Sequence, residues 1–421
     1  MRVGGHRALR YIAINMTSFS ANSLPMPQAR RASLLLAAAS AVGGSVGPIV
    51  VGTGGLVGLA MLSPAQAGLA TLPISAYVLG SALASAPAVL SMRTLGRRAG
   101  FMTGAGIGGI GALLAAAAIH AGSFWLFGCT MLWLGTASAF AQQYRFAAAD
   151  AAEPDFKARA IAWVMLGGLF TGVIGPQVSI HARKLTPHAP FAGPFIVLAG
   201  LFVLAALLLS QLVVPAPPPP AAGVSHGRSA WSVLSQPRFL VAVLVSVASF
   251  VPMTFVMTAT PLAMVAHHHS QSSAQYGIQW HVIAMYAPSF LTGRLINRFG
   301  NSAMAASGML IMAAAVTLAL SGTGLAQFWG ALVLLGVGWN FAFISATTMV
   351  ANLYQPEEAF RVQALNEFIL FSIVAMASFS SGGVLASSGW HAVNLLVYPI
   401  LVVGIALVVA QARLERRMAT A

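Results

Sequence analysis

Apolar stretches of about 20 residues recur from Ser33 to Ala412, separated by short polar or glycine-containing turns. Wound as a helix at about 1.5 Å per residue, each crosses a hydrocarbon core of about 30 Å. The pattern predicts twelve spans, at roughly 33–58, 67–91, 101–120, 124–146, 160–182, 193–213, 239–264, 275–296, 302–321, 326–350, 364–385 and 393–412. The longest interior gap follows the sixth span and holds Pro215-Ala216-Pro217-Pro218-Pro219-Pro220, a stiff extended segment. The expected organisation is a tail (1–29), a six-helix half (30–213), a Pro-rich linker (214–238), a second six-helix half (239–412) and a C-terminal tail (413–421). The fold class is an all-α membrane protein of twelve transmembrane helices in two six-helix halves.

Two turns mark the halves as related. Met92-Arg93-Thr94-Leu95-Gly96-Arg97-Arg98-Ala99-Gly100 follows the second span, and Gly293-Arg294-Leu295-Ile296-Asn297-Arg298-Phe299-Gly300 follows the eighth. Internal repeats of this kind mark transporters whose site lies between the repeats. The second turn resembles the Gly-x-Leu-x-Asp-Arg-x-Gly signature of the major facilitator superfamily, with Asn297 where that family usually has Asp. The resemblance implies the major facilitator fold over nearly all of residues 30–412. It also makes Gly293, Arg294, Asn297, Arg298 and Gly300 a gating turn. In the fifth span, Gly168-x3-Gly172-x2-Gly175-Pro176 resembles a Gly/Pro motif of superfamily antiporters. On physical grounds it is a small-residue face for close helix approach.

Composition fits this class: 58% of the 421 residues are hydrophobic and 7% charged. The net charge of +14 does not indicate a nucleic-acid partner, because 19 of the 21 Lys and Arg fall in the termini or in alternate short loops. Only Arg183 and Lys184 fall in the opposite set, an asymmetry that places both termini in the cytoplasm of a multi-pass bacterial inner-membrane protein. A single cysteine, Cys129, excludes an intrachain disulfide. The chain carries no Walker motif and no Cys-x-x-Cys, so neither an ATP-driven pump nor an enzyme is expected.

The candidate chemistry lies in the seventh and eighth spans. Met253-x3-Met257 and His281-x3-Met285 each place two soft ligands on one helix face, and thioether with imidazole suits Cu(I). Met257 and His281 sit about 10 Å and about 9 Å below the outer edge, Met253 and Met285 about 16 Å and about 15 Å below it. The Met pair taken alone fits core packing better; a histidine within a span favours a functional site. Met264, His267, His268 and His269 form either an outer metal-capture set or a solvated loop. Glu367 is either a coupling or exit-side group, or an interfacial residue paired with Arg361.

The stretch Gln279-Trp280-His281-Val282-Ile283-Ala284-Met285-Tyr286-Ala287-Pro288-Ser289-Phe290-Leu291-Thr292-Gly293-Arg294-Leu295 resembles the CcoA-like copper transporters of the superfamily. That resemblance implies Met253, Met257, His281 and Met285 as the copper-uptake motifs, with copper as transported substrate and no resident cofactor. It also implies a cytoplasmic copper acceptor that supplies cbb3-type cytochrome c oxidase. Two other expectations stand beside it. One is an importer of an organic solute such as riboflavin, with Trp280, Trp339 and Asn340 as cavity residues. The other is a copper-binding assembly factor that transports nothing. On the copper reading, Met257→Leu and His281→Ala lose copper uptake while the protein still reaches the membrane.

Overall fold

The computed structural model describes residues 24–214, 232–233, 235–354 and 358–419, and among these no β-strand is formed. Most of the tail and of the Pro-rich linker expected from the sequence lies outside the described residues.

The first span is Met26–Gly43 continued by Val46–Met61, and the next two are Leu72–Leu95 and Arg97–His120. The fourth is Phe124–Ala141 followed by Tyr144–Ala151, then come Pro154–His181 and Ala192–Ser210. The second half has Pro237–Ala266, the broken eighth span Gln271–Tyr286 and Ser289–Phe299, Asn301–Leu320 and Leu325–Ala351. It ends with Ala359–Leu395 and Val397–Ala419. Ten helical stretches of the described residues are long and apolar enough to cross a membrane. The last of them, Val362–Arg413, runs for 52 residues, more than twice what one crossing needs. It folds back at Gly389, whose φ of 75° is closed to most residues with a Cβ, and so supplies the eleventh and twelfth spans. The eighth span falls outside the ten because a break at Ala287-Pro288 divides it into helices of 16 and 11 residues. Alternating crossings put the start of the first span on one face, called the near face below, and its end on the far face.

The packing repeats with a period of six spans. In the first half, span 1 lies on 5 and 6, 2 on 4, and 3 on 4 and 6. In the second, span 7 lies on 11 and 12, 8 on 10, and 9 on 10 and 12. The turns carry the same symmetry: Gly96 has φ 82° and ψ 156°, Gly300 φ 84° and ψ 159°. Buried apolar side chains form two large clusters, one drawn from Ala29 to Leu212 and one from Val233 to Val408. The halves meet where span 2 lies on 11, span 5 on 8, and the second part of span 1 on 7.

Lipid tails are as apolar as leucine, so helices associate through close packing and not through escape from water. Glycine permits that closeness. At the 2–4 seam a Cβ on Gly80 would strike the Leu132 carbonyl, and one on Gly135 the Tyr77 carbonyl. At the 8–10 seam a Cβ on Gly336 would stand 2.6 Å from the His281 carbonyl oxygen. Hydroxyls inside the spans bond carbonyls of their own helix, as Ser33 does to Ala29 at 2.8 Å and Thr260 to Val256 at 2.7 Å. Such bonds let hydroxyls enter the apolar interior with their donors satisfied.

Gly135→Ala is expected to destabilise the protein by about 1–3 kcal/mol, because the carbonyl backbone that meets the new methyl cannot move aside cheaply. Gly106→Ala, whose Cβ would meet nothing, is expected to be neutral or stabilising by up to about 1 kcal/mol. Thermal unfolding of the two variants in detergent measures the difference.

Candidate cargo site between the halves

The seventh and eighth spans hold the residues expected to carry copper, and their surroundings are those of a helix core. Met253 is 1% exposed, and Met253, Met257 and Met285 all lie in or against the apolar cluster of the second half. His281 is fully buried, and its Nδ1 lies 2.7 Å from the Leu332 carbonyl oxygen in the tenth span. A carbonyl can only accept, so Nδ1 carries the hydrogen and the imidazole fastens span 8 to span 10. The histidine is a polar pin on the glycine seam at Gly336.

The outer histidines end a helix. His268 adopts φ 63°, its N–H bonds the Val265 carbonyl at 3.1 Å, and the His269 N–H bonds the Met264 carbonyl at 2.9 Å. That is a Schellman stop, with the left-handed residue just past the helix end. The His269 ring bonds the Thr323 carbonyl at 2.8 Å and stands edge-on to Phe328, with His267 packed nearby. Met264 is fully buried beneath them. Among the described residues no three His, Cys, Asp or Glu side chains gather into a metal-binding group.

Asn340, expected in a solute cavity, is occupied by the fold. Its Nδ2 donates to the Met285 carbonyl at 2.6 Å and to Ser289 Oγ at 2.7 Å, and its Oδ1 accepts from Thr292 Oγ1. These bonds bracket the break at Ala287-Pro288. Trp280 is 46% exposed and stands outside the ring cluster described next. In the gating turn Arg294, Asn297 and Arg298 are exposed, with the Arg298 guanidinium over the Phe299 ring at 5.3 Å. The first turn instead pairs Arg97 with Asp150 at the end of the fourth span.

Trp339 belongs to a different constellation. Its ring stacks on Phe343 at 4.9 Å and 14°, one helical turn along the tenth span. Phe250 of the seventh span meets both edge-on, at 5.3 Å and 5.0 Å, and Phe371 of the eleventh at 5.7 Å. Val78 of the first half packs against this region beside Val251 and Val374, so the rings lie at the junction of the halves. One turn before Phe371 stands Glu367, with Arg145 of the fourth span 3.9 Å away across that junction. Tyr286 lies within electrostatic reach of both Arg145 and Tyr77. The alternative partner, Arg361, has its side chain outside the described residues. The Trp339 and Arg145 Nε hydrogens and the Thr254 hydroxyl are buried without a partner among the described residues. Of these donors, the Trp339 indole N–H belongs to the stacked pair itself.

On the far side the halves are clasped. Gln177 Nε2 donates to Gln279 Oε1 at 2.8 Å, Gln275 Nε2 to the Gly52 carbonyl at 2.6 Å, and Thr71 Oγ1 to the Phe379 carbonyl at 3.1 Å. Arg183 adds a bond to Gln271. The glycine stripe of the fifth span meets the opposite half: a Cβ on Gly168 would touch Tyr286 at 3.1 Å, and one on Gly172 would touch Val282 at 2.9 Å. The third glycine, Gly175, faces Pro48 of the first span instead.

Sequence reasoning passed over Phe250, Phe343, Phe371 and Arg145. Trp339-x3-Phe343 and Glu367-x3-Phe371 have the same i,i+4 spacing as the Met pairs, and that spacing was the available signal. Asn340→Ala is expected to cost about 1–3 kcal/mol, because it strips partners from buried groups at the break. A loss of thermal stability with ring-dependent binding retained would show it.

Comparison with known proteins follows this geometry. The sequence profile of the Major Facilitator Superfamily matches residues 243–418. The riboflavin transporter RfnT of Brucella anthropi is 47% identical over 374 residues, which cover 89% of this chain and 94% of that one. Among solved structures, the nucleoside transporter NupG superposes with a TM-score of 0.69 at 14% identity, over 90% of this chain and 99% of its own. The xylose transporter XylE from E. coli gives 0.69 at 13% identity, over 89% and 97%. The likeness to RfnT overturns the copper reading, together with the copper partner and the copper-holding assembly factor. Met253, Met257 and Met285 pack in or against the apolar core, and His281 bonds Leu332 through Nδ1 while its Nε2 is buried without a partner among the described residues. A glycine-seamed repeat of six spans, an RfnT likeness along nearly the whole chain and the shared architecture of NupG and XylE lead to one assignment: the chain belongs to the major facilitator superfamily and is a multi-pass membrane transporter.

Proposed function

We propose that the protein imports riboflavin, or a flat heteroaromatic solute closely like it, by alternating access of its two halves. The observation that carries this reading is the 47% identity to RfnT, sustained over 89% of the chain. The ring cluster at the junction supports it, since the stacked pair Trp339–Phe343 suits a planar cargo and would be wasted on a bare ion. The Lys and Arg placement supports a cytoplasmic near face in a bacterial inner membrane. The far face is then the outside, and the glutamine clasp is the outer gate in its shut state.

Cargo binding is the energy that moves such a gate. A neutral hydrogen bond contributes about 0.5–1.5 kcal/mol net, so the clasp amounts to a few kcal/mol. A cargo shifts the balance only by binding one state better than the other. Rings contributed by spans 7, 10 and 11, with Val78 of the first half packed against the same region, allow that difference. They enclose the cargo from both sides only in some relative positions of the halves.

Purified protein in proteoliposomes is expected to accumulate radiolabelled riboflavin. Trp339→Ala is expected to reduce uptake by about tenfold to about a hundredfold, the loss of one stacking face, with unchanged yield of folded protein. Excess copper is expected not to compete. Failure of the wild-type protein to accumulate riboflavin above empty vesicles overturns the proposal.

A further inference from the structure

Arg145 and Glu367 face each other across the junction at 3.9 Å, too far for a hydrogen bond between them. Arg145 Nε is buried without a partner, while its guanidinium rests over Phe146 at 4.8 Å. Charged groups within a bilayer are costly and are normally saturated by partners. Here a cation with one unpartnered N–H stands beside a carboxylate that does not hydrogen-bond it. One turn of helix separates Glu367 from Phe371, whose ring touches Phe250, and Phe250 touches Trp339. A planar molecule lying on the rings therefore presents one edge to the Arg145–Glu367 pair.

We infer that this pair reads a cyclic imide edge, the carbonyl–NH–carbonyl sequence of a pyrimidinedione ring. The inference rests on the riboflavin reading of the same site and deepens it. Glu367 accepts the imide N–H, and Arg145 donates to a flanking carbonyl. The two charges complement an edge that presents a donor beside an acceptor, and N-methylation of the imide removes the donor that Glu367 needs while leaving the carbonyls for Arg145. No proton is transferred: the imide stays neutral and the pair stays charged. Binding of such an edge also bridges the halves, because Arg145 belongs to the first and Glu367 to the second. Substrate class and closure are thereby set by one contact. A site that hydrogen-bonds a ligand's polar edge rejects a ligand lacking the matching group far more strongly than an apolar pocket rejects a missing methyl.

The test is a panel of matched pairs on the purified full-length protein: riboflavin, lumichrome and uridine, each against its imide N-methyl counterpart, read by displacement of ligand and by flavin fluorescence quenching. The expected result is at least a tenfold preference for the free imide in the wild-type protein. Glu367→Ala is expected to erase that preference, and Glu367→Gln to keep part of it through its amide carbonyl. Trp339→Ala is expected to weaken both members of a pair alike. Equal binding of N-methylated and free imides by the wild-type protein overturns the inference, whether or not riboflavin is transported. Discrimination within the uridine pair without any riboflavin binding would instead sink the riboflavin reading and leave the imide rule standing. The wild-type panel decides the matter even if a variant fails to fold.

Discussion

Backbone touching backbone is the constraint on which this structure rests. Within a bilayer no solvent drives helices together, so spans must come near enough for many weak contacts to add up. The 2–4, 8–10 and 9–10 seams achieve this by leaving out Cβ atoms, at Gly80 and Gly135, at Gly336, and at Gly308 and Gly338. Each seam has its counterpart six spans away or lies within one, and the symmetric packing follows. The polar clasps are secondary. His281 can be buried because the seam at Gly336 brings the Leu332 carbonyl within reach.

The junction of the halves obeys different rules. Glycines of the first, fifth and eleventh spans approach the opposite half, and beside them stand side chains that can let go: glutamine amides on the far side, aromatic faces in the middle, and an ion pair nearer the other face. Within a half, surfaces fit backbone to backbone. Between halves, they meet through groups that a solute can replace. This contrast is what allows two rigid bodies to move against each other, since bistable interfaces rather than deformable cores carry such motions.

The fold was legible in the sequence to an unusual extent, and the reasons are local. Apolar runs give the spans directly, because the bilayer leaves helices as the way to satisfy the backbone. The paired turns at Gly96 and Gly300 gave the repeat, and both glycines adopt the positive φ that explains their presence. The break of the eighth span at Pro288 has a local cause in the proline, and Asn340 of the tenth span brackets it with bonds that no local pattern encodes. The site was legible only in part. Trp339 was visible as a candidate, but its stack with Phe343 and its edge contact with Phe250 come from spans whose adjacency no local pattern encodes. Arg145 and Glu367 belong to opposite halves, and their meeting is a product of how the halves dock. The methionines and His281 attracted a functional reading because burial of a polar ring in lipid calls for a reason. A backbone carbonyl accounts for Nδ1 of that ring, and Nε2 stays buried without a partner among the described residues.

The far-side clasp has a consequence beyond holding the two halves together there. Its bonds at Gln177–Gln279, Gln275–Gly52 and Thr71–Phe379 join uncharged groups, with Arg183 at the rim the one cation taking part. Ionic strength screens charges and leaves amides nearly untouched. Unfastening amide from amide displaces almost no charge along the membrane normal, so a resting potential exerts little pull on the step. Such a latch is largely indifferent to salinity and to voltage, and what opens it is water or solute competing for the same hydrogen bonds.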